Sequence, residues 1–323
     1  MKKANRLRSG LTLVEMLAVL FILALVVGVA VTATEGWVDQ TRFEAAQRLL
    51  ADIEEAILGP RDAREADGTL VVTGFVADMG RLPRTTGTDP LVLSELWDMP
   101  LSFDLRPATA ENLSDPSHAD PEVIVPCGWR GPYLRLPLGA ADLKDPWGKR
   151  LVSPVAPSDP PDPDGTDYAH LRSAADMPLT SAGQDVGLIR LLGANGRRSD
   201  ADQRYDRDTH LWIPDVRYRT HLAGKVSVRG ATPDAADTVV IKVFGPDPAA
   251  PGKIGVVATP PLAFNGTSDY REFALSGLTI GPRVVRAYFS DGGATTSPYA
   301  RSAVLRMTLL PGSNAKDVVI DRP

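Results

Sequence analysis

The chain has 323 residues, 43% of them hydrophobic and 23% charged, with a formal net charge of −5. That balance excludes wholesale disorder, and an acidic chain with few aromatics gives no footing for nucleic-acid binding. Its one cysteine, Cys127, excludes an intrachain disulfide.

The charge is unevenly placed. Residues 1–10 carry Lys2, Lys3, Arg6 and Arg8 and no acid. From Leu11 to Val31 the polar side chains are Thr12 and Glu15. A run of this length matches the roughly 20 residues a helix needs to cross a bilayer. It is too long for the apolar core of an ordinary secretory signal, and no turn signal follows it. The next stretch is amphipathic: Ala45, Ala46, Leu49, Leu50, Ile53, Ala56 and Ile57 recur at helical spacing. Gly59-Pro60 stops the pattern. One helix over 11–58 is expected, its first half (11–31) in lipid and its second half packed on a folded region. Gly28 and Gly36 are its weak points. The basic tip stays on the cytoplasmic side, so the rest lies outside.

Glu15 is costly in hydrocarbon, by roughly 2.5–3.5 kcal/mol unless paired. Gly10-Leu11-Thr12-Leu13-Val14-Glu15 resembles the processing site of type IV pilins and of the pseudopilins of type II secretion systems. Leu11 stands where that family usually has phenylalanine. The resemblance implies a leader over 1–10, cleavage by a prepilin peptidase between Gly10 and Leu11, and N-methylation of Leu11. It also implies assembly through the helix, with Thr12 and Glu15 in the assembly segment. Glu15 would pair with the Leu11 amine of a neighbouring subunit and set the axial register. In an ordinary anchor Glu15 would instead snorkel to the headgroups.

Further along, Asp78-Met79-Gly80-Arg81-Leu82-Pro83, Gly128-Trp129-Arg130-Gly131-Pro132-Tyr133 and Asp145-Pro146-Trp147-Gly148 resemble stretches of major pseudopilins. They imply a pilin-like region over 59–215 with a small antiparallel sheet. Prolines and glycines there set turns, and Trp129, Tyr133 and Trp147 fill the core between helix and sheet. Major pseudopilins often bind calcium after that sheet, and Asp200, Asp202, Asp206 and Asp208 are the candidate ligands here. Arg197, Arg198, Arg204 and Arg207 are interleaved with them, and surface ion pairing is the competing account.

From residue 220 to 323, seven short β-branched runs alternate with turn residues. They predict an antiparallel seven-stranded sandwich. Phe273-Ala274-Leu275-Ser276-Gly277-Leu278 and its surroundings resemble the carboxypeptidase-regulatory, transthyretin-like domain, which implies binding or spacing and no catalysis.

The expected class is therefore α+β: a long N-terminal helix on a small sheet, then an all-β sandwich. His118, His170, His210 and His221 form no paired metal spacing, and neither a phosphate-binding loop nor a nucleophile elbow is present. No catalytic role and no cofactor other than calcium is expected. The expected function is a structural subunit of a type II secretion pseudopilus or type IV pilus, held in the inner membrane with its bulk in the periplasm. Its partners would be the prepilin peptidase and other pilin or pseudopilin subunits. A monomeric anchored binding protein displaying the sandwich is the alternative, and an anchored hydrolase is a third class.

Overall fold

The computed structural model describes residues 13–64, 66, 68, 70–83, 93–98, 104–141, 143–148, 169–173, 185–191, 209–230, 232–250, 252–291 and 300–321. Helix α1 runs unbroken over Leu13–Leu58, 46 residues, about 70 Å at 1.5 Å per residue. Gly28 and Gly36 do not interrupt it. It ends at Gly59, whose N–H donates to Glu55 O at 2.7 Å with φ +80°. A side chain at residue 59 would strike the Thr73 carbonyl, so the chain leaves the helix there by a turn that favours glycine.

The two halves of α1 differ in burial. Leu13 is 81% exposed and Phe21 64%, whereas Ala46, Leu50, Ile53, Ala56 and Ile57 are buried. The buried stripe packs on short helix α2 (Phe75–Met79) and on a three-stranded antiparallel sheet, β3 (Ala169–Ser173), β4 (Asp185–Leu191) and β5 (Thr209–Ile213). Phe75, Met79, Leu93, Leu96, Leu191, Leu211 and Ile213 complete this first core, with Trp129, Tyr133 and Trp147 partly buried against it.

Two further sheets follow. In one, β6 (Arg219–Arg229) pairs antiparallel with β10 (Tyr270–Thr279) and parallel with β14 (Gly312–Ala315) and β15 (Val318–Asp321). The other joins β7 (Thr238–Pro246), β8 (Ile254–Ala258), β9 (Leu262–Ala263), β11 (Gly281–Ser290), β12 (Ala300–Arg301) and β13 (Leu305–Leu309), all antiparallel. Alternate residues of both sheets meet in a second core: Leu222, Val226, Val228, Phe273 and Leu275 against Val239, Ile241, Val243, Val285 and Phe289.

A strand occupies each of the seven β-branched runs, but the expected count and pairing need correction. Among the described residues this unit holds ten strands, because β9, β12 and β14 are short additions. It is also not wholly antiparallel. The last two strands run alongside β6 in the same direction, stepping at Lys316, whose N–H donates to Ala223 O at 3.0 Å. Gly224 permits that step: a Cβ there would lie 1.9 Å from Lys316 O.

The hairpin β1 (Asp104–Ala108) and β2 (Asp120–Cys127) belongs to the 59–215 span but packs on the outer face of the β7–β11 sheet. Ala108, Leu113, Val123, Val125 and Cys127 meet Phe244, Ile254, Val284 and Tyr288 in a third core. The segments on either side of residues 215–220 thus share buried apolar surface, which is the main stabilising term in any packed unit.

Candidate functional site: the bare half of the helix and the junction behind it

Residues Leu13–Ala30 of α1 have a mean hydropathy of 2.8, and none of that window is buried by the rest of the chain. Its 18 residues rise about 27 Å, close to the roughly 30 Å of a bilayer's hydrocarbon core. By length and composition it is the one helix among the described residues fit to cross a membrane. Glu15 lies in its first turn, exposed among Leu13, Val14, Met16 and Leu17. A carboxylate is favoured there by the positive end of the helix dipole. Gly10, Leu11 and Thr12 lie outside the described residues.

Behind the helix, the motif residues of 78–83 and 128–134 interlock. Asp78, one residue before the end of α2, is buried. Its Oδ2 accepts from Tyr133 Oη at 2.8 Å, its Oδ1 lies 3.3 Å from Arg130 Nε, and its carbonyl accepts from Gly128 N at 3.1 Å. Arg81 forks onto Glu95 at 2.7 and 2.8 Å, and Trp129 Nε1 donates to the Glu95 carbonyl at 2.8 Å. Tyr133 meets Phe75 edge-on at 5.7 Å and Trp129 at 5.9 Å. These residues tie α2 to the loop after β2.

Arg283 of β11 enters the same junction from the C-terminal unit. Its buried guanidinium donates to Ala77 O, Ile280 O and Pro282 O at 3.2, 2.9 and 2.7 Å, and to Thr279 Oγ1 at 2.5 Å. Burial pulls its pKa down to about 10, against the opposing pull of Asp78. Burial also pushes the Asp78 carboxyl above its ordinary range, although Arg130, Tyr133 and Arg283 all favour its charged form. Tyr133 is driven up by burial and then by the Asp78 charge.

A second charged group fastens the hairpin. Asp120 is fully buried and accepts from Arg286 Nη1 at 2.9 and 2.8 Å and from Tyr288 Oη at 2.5 Å. Arg286 also donates to Ser302 O at 3.1 Å and pairs with Glu122. The sequence reading found neither Arg283 nor this pair. The available signal was two arginines, Arg283 and Arg286, inside an otherwise apolar strand run.

The calcium candidates Asp200, Asp202, Asp206 and Asp208 lie outside the described residues. Among the described residues, no three His, Cys, Asp or Glu side chains gather where they could hold a metal. His118 Nε2 is 3.6 Å from Asp115 Oδ2, and His221 Nε2 is 2.7 Å from Ser313 Oγ. Burial, aided by Lys242 and opposed by Asp115, lowers the His118 pKa. Cys127 is buried.

The comparisons with known proteins bear on this N-terminal segment. The family described as the prokaryotic N-terminal methylation motif matches residues 5–31. Over that segment the chain is type IV pilin-like. Two solved structures of a pilus-presented adhesin, Spy0125 (Cpa), one of them a cysteine-to-alanine mutant, are similar at 11% and 12% identity. Each match covers 38% of this chain and 39% of the adhesin chain, with TM-scores of 0.17 and 0.20. The chain thus spans about two-fifths of the adhesin's length, and at those scores the likeness carries no argument. No curated protein matches the chain.

Proposed function

We propose that this chain is a prepilin-type structural subunit, cut between Gly10 and Leu11, methylated on Leu11 and assembled into a filament through α1. One observation carries the reading: the methylation-motif match falls on a helix half that the protein's own fold leaves uncovered. A bare apolar surface of that length needs a partner, first lipid and then neighbouring helices. Glu15, once among neighbours, would take the Leu11 amine as its counter-charge.

A type II secretion pseudopilus is favoured over an adhesive pilus, because the residues resembling major pseudopilins converge on Asp78, Arg81, Glu95, Trp129 and Tyr133. The subunit waits in the inner membrane, N-terminus cytoplasmic, with both globular parts in the periplasm. We read the two-sheet unit as a non-catalytic display module of the carboxypeptidase-regulatory, sandwich type. Its bulk suits a minor or tip subunit better than a closely packed shaft.

The test is co-expression with a prepilin peptidase. The mature chain should lose residues 1–10 and gain one methyl group by mass. Persistence of the full-length chain overturns the reading and leaves an anchored monomer.

A further inference from the structure

We infer that Trp37 seats the anchored subunit in the headgroup layer of the outer leaflet; the inference rests on the membrane-spanning reading of Leu13–Ala30. Trp37 is 72% exposed, whereas Trp97, Trp129, Trp147 and Trp212 are at least partly buried. It stands on α1 between the bare apolar window and Ala46, the first helix residue buried in the head. An indole that large and that exposed has unused apolar surface and one N–H donor, the combination that favours a membrane interface.

The axial position agrees. Trp37 lies seven residues past Ala30, so its Cα is about 10 Å beyond the apolar window. Helical side chains tilt toward the N-terminus and cover the preceding turn, which brings the indole back by up to about 5 Å. A bilayer is about 40–45 Å thick with headgroups around a 30 Å core, leaving roughly 5–8 Å of interface on each side. The indole falls within that layer.

The neighbours on its own face exclude a continued apolar seam. Gln40, Thr41 and Glu44 follow Trp37 at helical spacing. Gln40 Nε2 donates to Glu44 Oε1 at 3.0 Å, and Thr41 Oγ1 donates to the Trp37 carbonyl at 2.8 Å. Beyond Trp37 that face of the helix is therefore polar, as the water side of a membrane boundary is. With the indole at that depth, Glu15, 22 residues earlier and about 33 Å down the axis, sits near the inner boundary of the hydrocarbon. Trp37 would thereby hold Glu15 where its carboxylate reaches the inner headgroups before assembly.

The test uses the full-length chain in phosphatidylglycerol–phosphatidylcholine vesicles, as wild type and as Trp37→Phe. Flotation with the vesicles is measured first. The difference in tryptophan emission between the two proteins isolates Trp37. It should be blue-shifted, weakly quenched by aqueous iodide, and quenched more by lipids brominated near the headgroup than by lipids brominated at the chain end. A floating protein whose difference emission is red and quenched by iodide, or quenched best from the chain ends, overturns the seat of Trp37 alone. Failure to float overturns the membrane-spanning reading and this inference with it.

Discussion

Asp120 and Arg286, 166 positions apart, form a buried ion pair in which Arg286 Nη1 reaches both carboxylate oxygens, at 2.9 and 2.8 Å. The pair joins hairpin strand β2 to β11 and so binds the segment before residue 215 to the C-terminal unit. Removing Asp120 leaves the buried Arg286 guanidinium with only the exposed Glu122 as its counter-charge and leaves Tyr288 Oη without its acceptor. Asp120→Ala should cost about 3–5 kcal/mol, read as a lowered urea midpoint. Replacing both residues by apolar ones of similar volume should recover most of that loss, which separates charge burial from lost packing.

Arg283 satisfies the Ala77 and Ile280 carbonyls while lying fully inside the junction. Arg283→Met keeps the stem and removes the donors. Each buried carbonyl left without a partner costs about 1–3 kcal/mol, and Asp78 loses a favourable cation. Urea unfolding should show a loss of a few kcal/mol on that same scale. A variant as stable as wild type would show that water replaces the guanidinium.

Because the hairpin and Arg283 cross between the two segments, the chain cut after Tyr218 should not fold as a separate unit. It would expose Val123, Val125 and Cys127, now covered by Phe244, Ile254 and Val284. Limited proteolysis should digest the truncated form rapidly and spare the full-length head. Equal resistance would show two independent folding units.

His118 gives a pH dependence. Its folded pKa is lowered by burial and by Lys242, with Asp115 pulling the other way. The unfolded imidazole, titrating near its ordinary 6.5, then binds the proton more readily than the folded one. Stability is retained above that value and lost as pH falls through it. His118→Gln should flatten the fall in urea midpoint between about pH 7.5 and 5.5. An unchanged slope would assign the acid sensitivity to other groups.

Glu15→Ala tests assembly apart from insertion. The variant should insert in membranes at least as well as wild type, since removing the carboxylate only makes the window Leu13–Ala30 more apolar. Filament formation, scored by shearing and sedimentation, should drop sharply. Normal assembly would favour snorkelling of Glu15 in an anchor that never uses it as a contact.

Local chemistry made much of this protein readable in advance. The apolar run after a basic tip shows itself by length and composition, while the stripe from Ala46 to Ile57 and the β-branched runs beyond residue 220 declare their burial through spacing along the chain, because helix and strand periodicities are properties of consecutive residues. The methylation-motif match over residues 5–31 falls where the sequence offers Gly10-Leu11-Thr12-Leu13-Val14-Glu15, a motif complete within six positions. What only the tertiary structure decided is which distant segments meet. No local pattern told β14 and β15 to run parallel to β6, sent the β1–β2 hairpin to the far sheet, matched Asp120 with Arg286 or brought Arg283 to the Ala77 carbonyl. Those choices follow from closing long loops around shared cores, where a buried charge must find its counter-charge wherever the chain happens to bring one, and sequence distance carries no record of that.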